Sequence, residues 1–234
     1  MNNFKVISVD MFETLVNVDS RKYCVWRKIL GESFTEQAAD RYWKKANKLL
    51  FGFLYNYEFP GQKFYTSKAI FEKCFFEVFQ ENQINFDPKM AACLLATEHG
   101  FAALYDDTES FLKSVSQNYP VCLVSDTDQD MIAPLLARFQ FNQIFTSEGL
   151  HSYKIEPSST MFLAVIKHYG VKPQEILHIG DSYTDILGAS RVGIKTCWLN
   201  RTHRKWNYKI TPDYEVKSLL DIANILGIKT SSTA

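Results

Sequence analysis

The chain has no excess charge of either sign: 26 lysines and arginines meet 26 aspartates and glutamates. A nucleic-acid binder would usually show a basic stripe, so no nucleic-acid partner is expected. No apolar run reaches the roughly 18 residues that would suggest a membrane span. The opening MNNFKVIS has neither a charged n-region nor a long apolar stretch, so no signal peptide is expected. Cys24, Cys74, Cys93, Cys122 and Cys197 are scattered and form no CxxC pair. Such spacing suits neither a structural metal site nor a disulfide framework, and it points to reduced thiols in a cytoplasmic protein. Internal repeats and low-complexity segments are also missing. What remains is an ordinary globular composition, 46% hydrophobic and 22% charged, over 234 residues. That length allows one large domain or two small ones.

From about Tyr119 onward, short β-rich runs alternate with helical patterns. YPVCLVS reads as a strand and MIAPLLARF as a helix. QIFTS reads as a strand and SSTMFLAVIKHYG as a helix closed by Gly170 at C′. EILHIGD, TDILGASRVG and KTCWLN continue as strand, helix and strand. FKVISVD supplies one more strand at the start, and ESFLKSVSQ a helix with Asp106, Asp107 and Thr108 in front as capping residues. This alternation predicts an α/β fold of βα units around a parallel sheet. Residues 17–103 read differently. They are rich in aromatics and show helical periodicities such as Tyr23/Trp26/Arg27/Leu30 and Ile70/Phe71/Cys74/Phe75/Val78. Pro60–Gly61 marks a turn inside them. An all-helical insert directly after the first strand is expected, and the tail KTSSTA is expected to be loose.

Polar residues gather where strands are predicted to end. Asp10 ends the first, Ser125–Asp126 ends YPVCLVS, and Gly180–Asp181–Ser182 ends EILHIGD, with Asp185 four residues after Asp181. Lys154 lies in the loop SYKIEPSSTMF between them. In open parallel sheets, ligands collect at the carboxyl ends of strands. One strand-ending aspartate commonly does no more than cap the next helix, but the set in this order is a much stronger signal.

The set resembles the haloacid dehalogenase-like hydrolase superfamily, in its helical-cap form. Asp10 to Leu15 (DMFETL) matches the first motif and Ser125 the second. Lys154 with Pro157 following matches the third, and Gly180, Asp181, Ser182 and Asp185 (GDSYTD) match the fourth. The resemblance implies a Rossmann-like, doubly wound parallel sheet of strand order 5-4-1-2-3, with Asp10 on the central strand. It implies a core domain of residues 1–16 and 104–234 and an inserted helical cap of residues 17–103. It also implies a hydrolase acting on a small molecule, a phosphate ester. Asp10 would attack and form a covalent aspartyl intermediate. Asp10, Asp181 and the main-chain carbonyl of Phe12 would hold Mg²⁺. Ser125 would donate a hydrogen bond to the transferring group, with Asp126 beside it, and Lys154 would neutralise the developing charge. Asp185 would orient the metal's waters or Lys154 from behind. Thr14 would steady the loop or touch the substrate.

Phe12 departs from the phosphatase pattern. In those relatives an aspartate at this position protonates the leaving oxygen and later activates water. Haloacid dehalogenases carry tyrosine there, because a halide leaves without a proton, and phosphonatases carry a small residue. Phe12 therefore favours those relatives. Asp181 opposes this, since dehalogenases use no metal and replace it with a neutral residue. With three carboxylates and one lysine, a divalent cation balances the site better. Two alternatives stay open: a 2-haloacid dehalogenase-type hydrolase, and a catalytically weak protein that binds a ligand or partner on a retained fold. Glu13 is adjacent to Phe12 but points away from Asp10 if the strand alternation continues.

Other features have plainer readings. Tyr23, Trp26, Tyr42, Trp43, Phe51, Phe53, Tyr55, Tyr57, Phe64 and Tyr65 are expected mostly to fill the insert's own core. Arg21, Arg27, Lys28 and Arg41 read as solvated helix faces, and RTHRKWNYK (residues 201–209) as a solvated basic loop. His151 reads as a loop residue, and Met11 and His178 as packed in the core.

Overall fold

The computed structural model describes residues 3–55 and 63–228. Tyr57, the Pro60–Gly61 turn and the KTSSTA tail lie outside the described residues. One sheet of six strands is formed by β1 (Val6–Val9), β2 (Val121–Ser125), β3 (Gln143–Thr146), β4 (Ile176–Gly180), β5 (Lys195–Leu199) and β6 (Tyr214–Val216). All neighbouring pairs run parallel, in the order β3-β2-β1-β4-β5-β6. Viewed from the other edge, this is the implied order with one strand added. The added strand, β6, is short and carries no apolar run long enough to announce it in the sequence. Every residue of β1, β2 and β4 is buried, as a strand covered on both faces requires.

The helices are α1 (Lys22–Leu30), α2 (Glu36–Tyr55), α3 (Ser67–Asn82), α4 (Pro88–His99), α5 (Thr108–Ser116), α6 (Gln129–Leu136), α7 (Ser147–Leu150), α8 (Thr160–Tyr169), α9 (Tyr183–Arg191) and α10 (Ile222–Leu226). They fall into two compact units. The first comprises Met1–Asn17, Leu104–Ser125 and Phe139–Ala234; the second comprises Val18–Ala103 and Asp126–Arg138.

In the sheet unit, Met161, Phe162 and Val165 of α8 pack with Val6, Cys122, Val124 and Ile176 of the strands. Gly170 ends α8 with φ +61°, as the C′ reading requires, and its N–H returns to the Ile166 carbonyl. Asp107 departs from expectation. It stands at the N-cap of α5 but makes no side-chain cap bond. Its carboxylate instead accepts from both terminal nitrogens of Arg201, from the Ser218 hydroxyl and from the Leu219 N–H. A guanidinium fork is charged and binds both carboxylate oxygens at once, which a single helix N–H cannot do.

In the helical unit, Trp26 is fully buried among Tyr42, Phe75 and Phe79. The Ile70/Phe71/Cys74/Phe75/Val78 stripe is buried throughout, as read. The α1 stripe is not: the buried face is Val25, Trp26 and Ile29, while Arg27 is exposed. Phe51 and Tyr55 are exposed, so part of the aromatic run lies outside the core. Arg21 and Lys28 are not simply solvated. Both bond the carboxylate of Glu98, which is buried and would otherwise lack compensation. Arg27 and Arg41 lie over the rings of Phe34 and Tyr42.

Candidate active site

Strand order brings the polar clusters together. β1 lies between β2 and β4, so Asp10, Ser125 and Asp181 emerge side by side at the carboxyl end of the sheet. Asp10 continues the β1 register, its N–H donating to the Ile179 carbonyl at 3.0 Å. The chain then turns tightly. The Met11 carbonyl accepts from the N–H groups of Leu15 and Val16, and the Glu13 N–H donates to the Val16 carbonyl. Glu13 adopts φ +59° inside this turn, so the strand alternation has already ended there. Its carboxylate accepts from the Tyr105 hydroxyl at 2.7 Å. Phe12 is half-buried within the same turn.

Asp10 is 5% exposed. Its Oδ1 accepts from Ser125 Oγ at 2.9 Å and from Lys154 Nζ at 2.8 Å, and its Oδ2 from Thr14 Oγ1 at 3.3 Å. Burial pushes the Asp10 carboxyl above its ordinary value, against the opposing pull of Lys154. Lys154 also donates to Asp185 Oδ1 at 2.5 Å. Its loop is folded by Glu156, whose carboxylate accepts from the Ser152 hydroxyl and the Tyr153 N–H. The Lys154 carbonyl lies against α9, where a Cβ on Gly188 would come within 2.2 Å of it.

Asp185 belongs to a capping box at the start of α9, with Ser182 as N-cap. Its Oδ2 accepts from the Ser182 N–H at 3.1 Å and the Ser182 hydroxyl at 2.5 Å. Its Oδ1 faces His178 Nε2 at 3.0 Å as well as Lys154. Burial opposes its charge, but Lys154 and His178 outweigh burial and hold the carboxyl well below the usual range. Gly180 makes this closeness possible, since a Cβ there would lie 2.2 Å from Asp185 Cγ. The glycine and the second aspartate of GDSYTD are therefore one packing unit.

Asp181 is held differently. Its main-chain carbonyl accepts from Trp198 Nε1 at 2.9 Å and from Arg204 Nη2 at 2.8 Å. The same Arg204 nitrogen donates to Asp181 Oδ2 at 3.1 Å. Asn200 pins the Arg204 backbone reciprocally, accepting from its N–H and donating to its carbonyl. Burial, then Asp185 and Asp10, push the Asp181 carboxyl up to about 7. One carboxylate oxygen each from Asp10, Asp181 and Asp185 lie within 4.8 Å of one another. Three crowded acids against one buried lysine form a hard-oxygen donor set that suits a small divalent cation. Asp185 already accepts four hydrogen bonds and Asp10 three.

Of the residues singled out in the sequence, Asp10, Thr14, Ser125, Lys154 and Asp185 are joined by direct hydrogen bonds, and Asp181 completes the acid cluster. Asp126 is half-buried in the turn that follows Ser125. His151 is exposed and ends α7 in a left-handed conformation, φ +49°. Four contributors were not singled out as site residues. His178 read as core packing, and it is buried, yet it bonds Asp185. Ser8 lies behind it. The basic loop read as solvated surface, yet Arg204 reaches Asp181 and Arg201 binds the Thr14 carbonyl and Asp107. The only available signal was its position directly after a predicted strand end. No helix among the described residues is long and apolar enough to cross a membrane, and all five cysteines are free.

A sequence model described as haloacid dehalogenase-like hydrolase matches residues 4–193. The glyceraldehyde 3-phosphate phosphatase of Pyrococcus furiosus is 23% identical over 99% of this chain and 97% of its own length. The HAD-hydrolase YfnB of Bacillus subtilis, solved bound to magnesium, superposes with a TM-score of 0.82 at 19% identity, covering 97% of this chain and all of that one. The L-2-haloacid dehalogenase of Xanthobacter autotrophicus, solved with chloropropionic acid covalently bound, has a TM-score of 0.77 at 15% identity, covering 99% of this chain and all of that one. With the family match spanning most of the chain and the strand-end acids in place, the chain belongs to the haloacid dehalogenase-like hydrolases.

Proposed function

We propose that this hydrolase cleaves small phosphate esters with Mg²⁺, through a covalent aspartyl intermediate on Asp10. The observation that carries this reading is the acid cluster: Asp10, Asp181 and Asp185 converge within 4.8 Å, with Lys154 as the buried cation between two of them. Asp10, Asp181 and the Phe12 carbonyl would hold the metal, which when bound supplies positive charge to the phosphate oxygens. The helical segment 17–103 serves as the family's cap, with the core in 1–16 and 104–234. The free thiols suit a reducing compartment, and we read the cytoplasm as its location.

The chain's own groups divide the work. An Asp10 oxygen attacks phosphorus, and the bond to the leaving oxygen breaks with its electron pair. Ser125 and Lys154 hold Oδ1 in place, so the carboxylate enters the reaction in one orientation. Both can also donate to the transferring oxygens, and Thr14 steadies the turn. Asp126 stands beside Ser125 at the substrate. Water then attacks phosphorus, frees inorganic phosphate and restores the carboxylate. Phe12 cannot give a proton to the leaving oxygen, so substrates whose leaving groups depart unaided are favoured.

Phe12 is also the observation that favours a second reading, displacement of halide from a 2-haloacid through an aspartyl ester, which needs no leaving-group proton. A third reading is a weak or inactive member that binds a ligand or partner. Metal removal separates the first two. Chelation should abolish phosphate-ester turnover and added Mg²⁺ should restore it, whereas dehalogenation would survive the chelator. No turnover of any phosphate ester or haloacid by the parent protein would leave the binding reading.

A further inference from the structure

We propose that His178 is a positioning residue: its Nε2–H holds Asp185 Oδ1, so that Asp185 and Asp10 share Lys154 between them. The kinetic part of this inference rests on the reaction proposed at Asp10. The geometry is a continuous buried chain. Ser8 Oγ lies 2.8 Å from His178 Nδ1, His178 Nε2 lies 3.0 Å from Asp185 Oδ1, and Lys154 Nζ lies 2.5 Å from Asp185 Oδ1 and 2.8 Å from Asp10 Oδ1. None of these five residues is more than 5% exposed.

The placement follows from strand register. Ser8 of β1 is directly opposite His178 of β4. Side chains two apart on a strand share a face, so Ser8 lies on the face of Asp10, and His178 on that of Gly180. Gly180 offers no side chain, and Asp185 fills the space above it. The imidazole therefore meets the carboxylate edge-on. Phe162 packs against the ring at 4.8 Å in a T-shaped contact, which opposes rotation.

The hydrogen's position follows from its partners. An ionised carboxylate only accepts, so Nε2 carries the hydrogen, and the Ser8 hydroxyl can then donate to Nδ1. Without His178, Oδ1 of Asp185 would keep Lys154 as its donor but lose the contact that sets its direction. Lys154 could then drift from Asp10 without breaking its own ion pair. Supporting contacts of this kind are typically worth about 10–100-fold in activity.

The test uses full-length protein with Mg²⁺ and p-nitrophenyl phosphate, comparing His178→Leu, His178→Gln and the parent. Glutamine places an amide N–H near the position of Nε2, while leucine fills volume without a donor. His178→Leu should lower kcat by about 10–100-fold with KM little changed, and His178→Gln should recover most of the loss. An unchanged kcat in His178→Leu overturns the proposal. So does an equal loss in both variants when circular dichroism shows both folded, because the role is then packing alone. ¹⁵N NMR of the parent provides an arm independent of turnover. A hydrogen on Nε2 is expected, and a bare Nε2 with the hydrogen on Nδ1 overturns the proposal. If the parent hydrolyses no phosphate ester, the reaction at Asp10 is refuted while this arm still decides the case of His178.

Discussion

Lys154 Nζ lies 2.8 Å from Asp10 Oδ1, with both side chains less than a tenth exposed. Breaking such a pair on one side leaves a buried charge without compensation, and that is costly even where the intact pair adds little net stability. Here two carboxylates, Asp10 and Asp185, depend on the same ammonium. Lys154→Met should therefore destabilise the protein by about 3–5 kcal/mol as well as abolish turnover. Adding Asp10→Asn should return part of the stability and none of the activity. Urea unfolding of the parent, both single variants and the double variant measures the coupling. Purely additive effects would contradict the shared-cation arrangement.

Phe12 makes leaving-group quality the predicted control on substrate range. A general acid is typically worth about 10²–10⁴-fold, and a phenyl ring contributes none of it. The dependence of kcat/KM on leaving-group pKa should be steep, with aryl and acyl phosphates well ahead of alkyl phosphates. Phe12→Asp should raise alkyl-phosphate turnover by at least about tenfold and flatten that dependence. A flat dependence in the parent would mean that another group already supplies the proton.

How much of this was legible in the sequence depended on the kind of signal. Asp10, Ser125 and Asp181 could be read because each stands at a strand end, Asp185 because it lies four residues after Asp181, and Lys154 through its loop's resemblance to the family's third motif. Gly180 and Asp185 show why the distance is set: one helical turn returns the carboxylate onto a Cα that must lack a side chain. His178 and Ser8 were hidden because a polar residue in a buried strand reads the same whether it bonds a neighbour or a catalytic acid. Their pairing is a matter of register between strands 170 residues apart. Arg204 was hidden because basic loops are usually solvated, whereas here Asn200 pins its backbone and its side chain bonds Asp181. Asp107 misled for the opposite reason. It has the sequence of a helix cap, but an arginine from far along the chain offers stronger bonds.

Gly180→Ala tests the packing unit directly. The new methyl would sit 2.2 Å from Asp185 Cγ, closer than atoms can approach, so Asp185 must move. Its capping-box bonds and its hold on Lys154 go with it. Turnover should fall by about 10–100-fold. Gly170→Ala is the contrast: among the described residues, nothing beyond its own neighbours lies within 4 Å of its Cβ position, so the φ of +61° is what penalises it. That variant should lose about 1 kcal/mol of stability and keep its kcat. Equal kinetic losses in the two variants would show that Asp185 placement is not what Gly180 provides.

Arg204 acts on Asp181 in two opposed ways. Its charge repels a cation, while its bonds to the carbonyl and Oδ2 orient the carboxylate. The Arg204 side chain is 52% exposed, so its charge is screened and orientation should dominate. Arg204→Ala should weaken Mg²⁺ binding about tenfold, measured by calorimetry without substrate. Arg204→Gln, which retains a donor, should weaken it less. Tighter binding in both variants would mean that repulsion is the larger effect.

His99 provides a pH-dependent contribution in the helical unit. Burial lowers its pKa to about 4, against the opposing effect of the bond between Nδ1 and the Leu95 carbonyl at 2.8 Å. The ring stacks on Phe71 at 5.6 Å. An unfolded chain takes up this proton near pH 6.5, whereas the folded chain does so only near pH 4. Between those values the unfolded state binds more protons, so stability is full above 6.5 and declines as pH falls toward 4. The loss from pH 7 to pH 5 should be about 2 kcal/mol from this residue. Acidic side chains contribute their own losses, so the informative quantity is the difference between parent and His99→Gln in urea midpoint at the two pH values. The variant should lose less stability than the parent over this interval. The His99 ring resonances of the parent should stay unshifted down to about pH 5, and titration near 6.5 would show that the imidazole accepts its proton without unfolding.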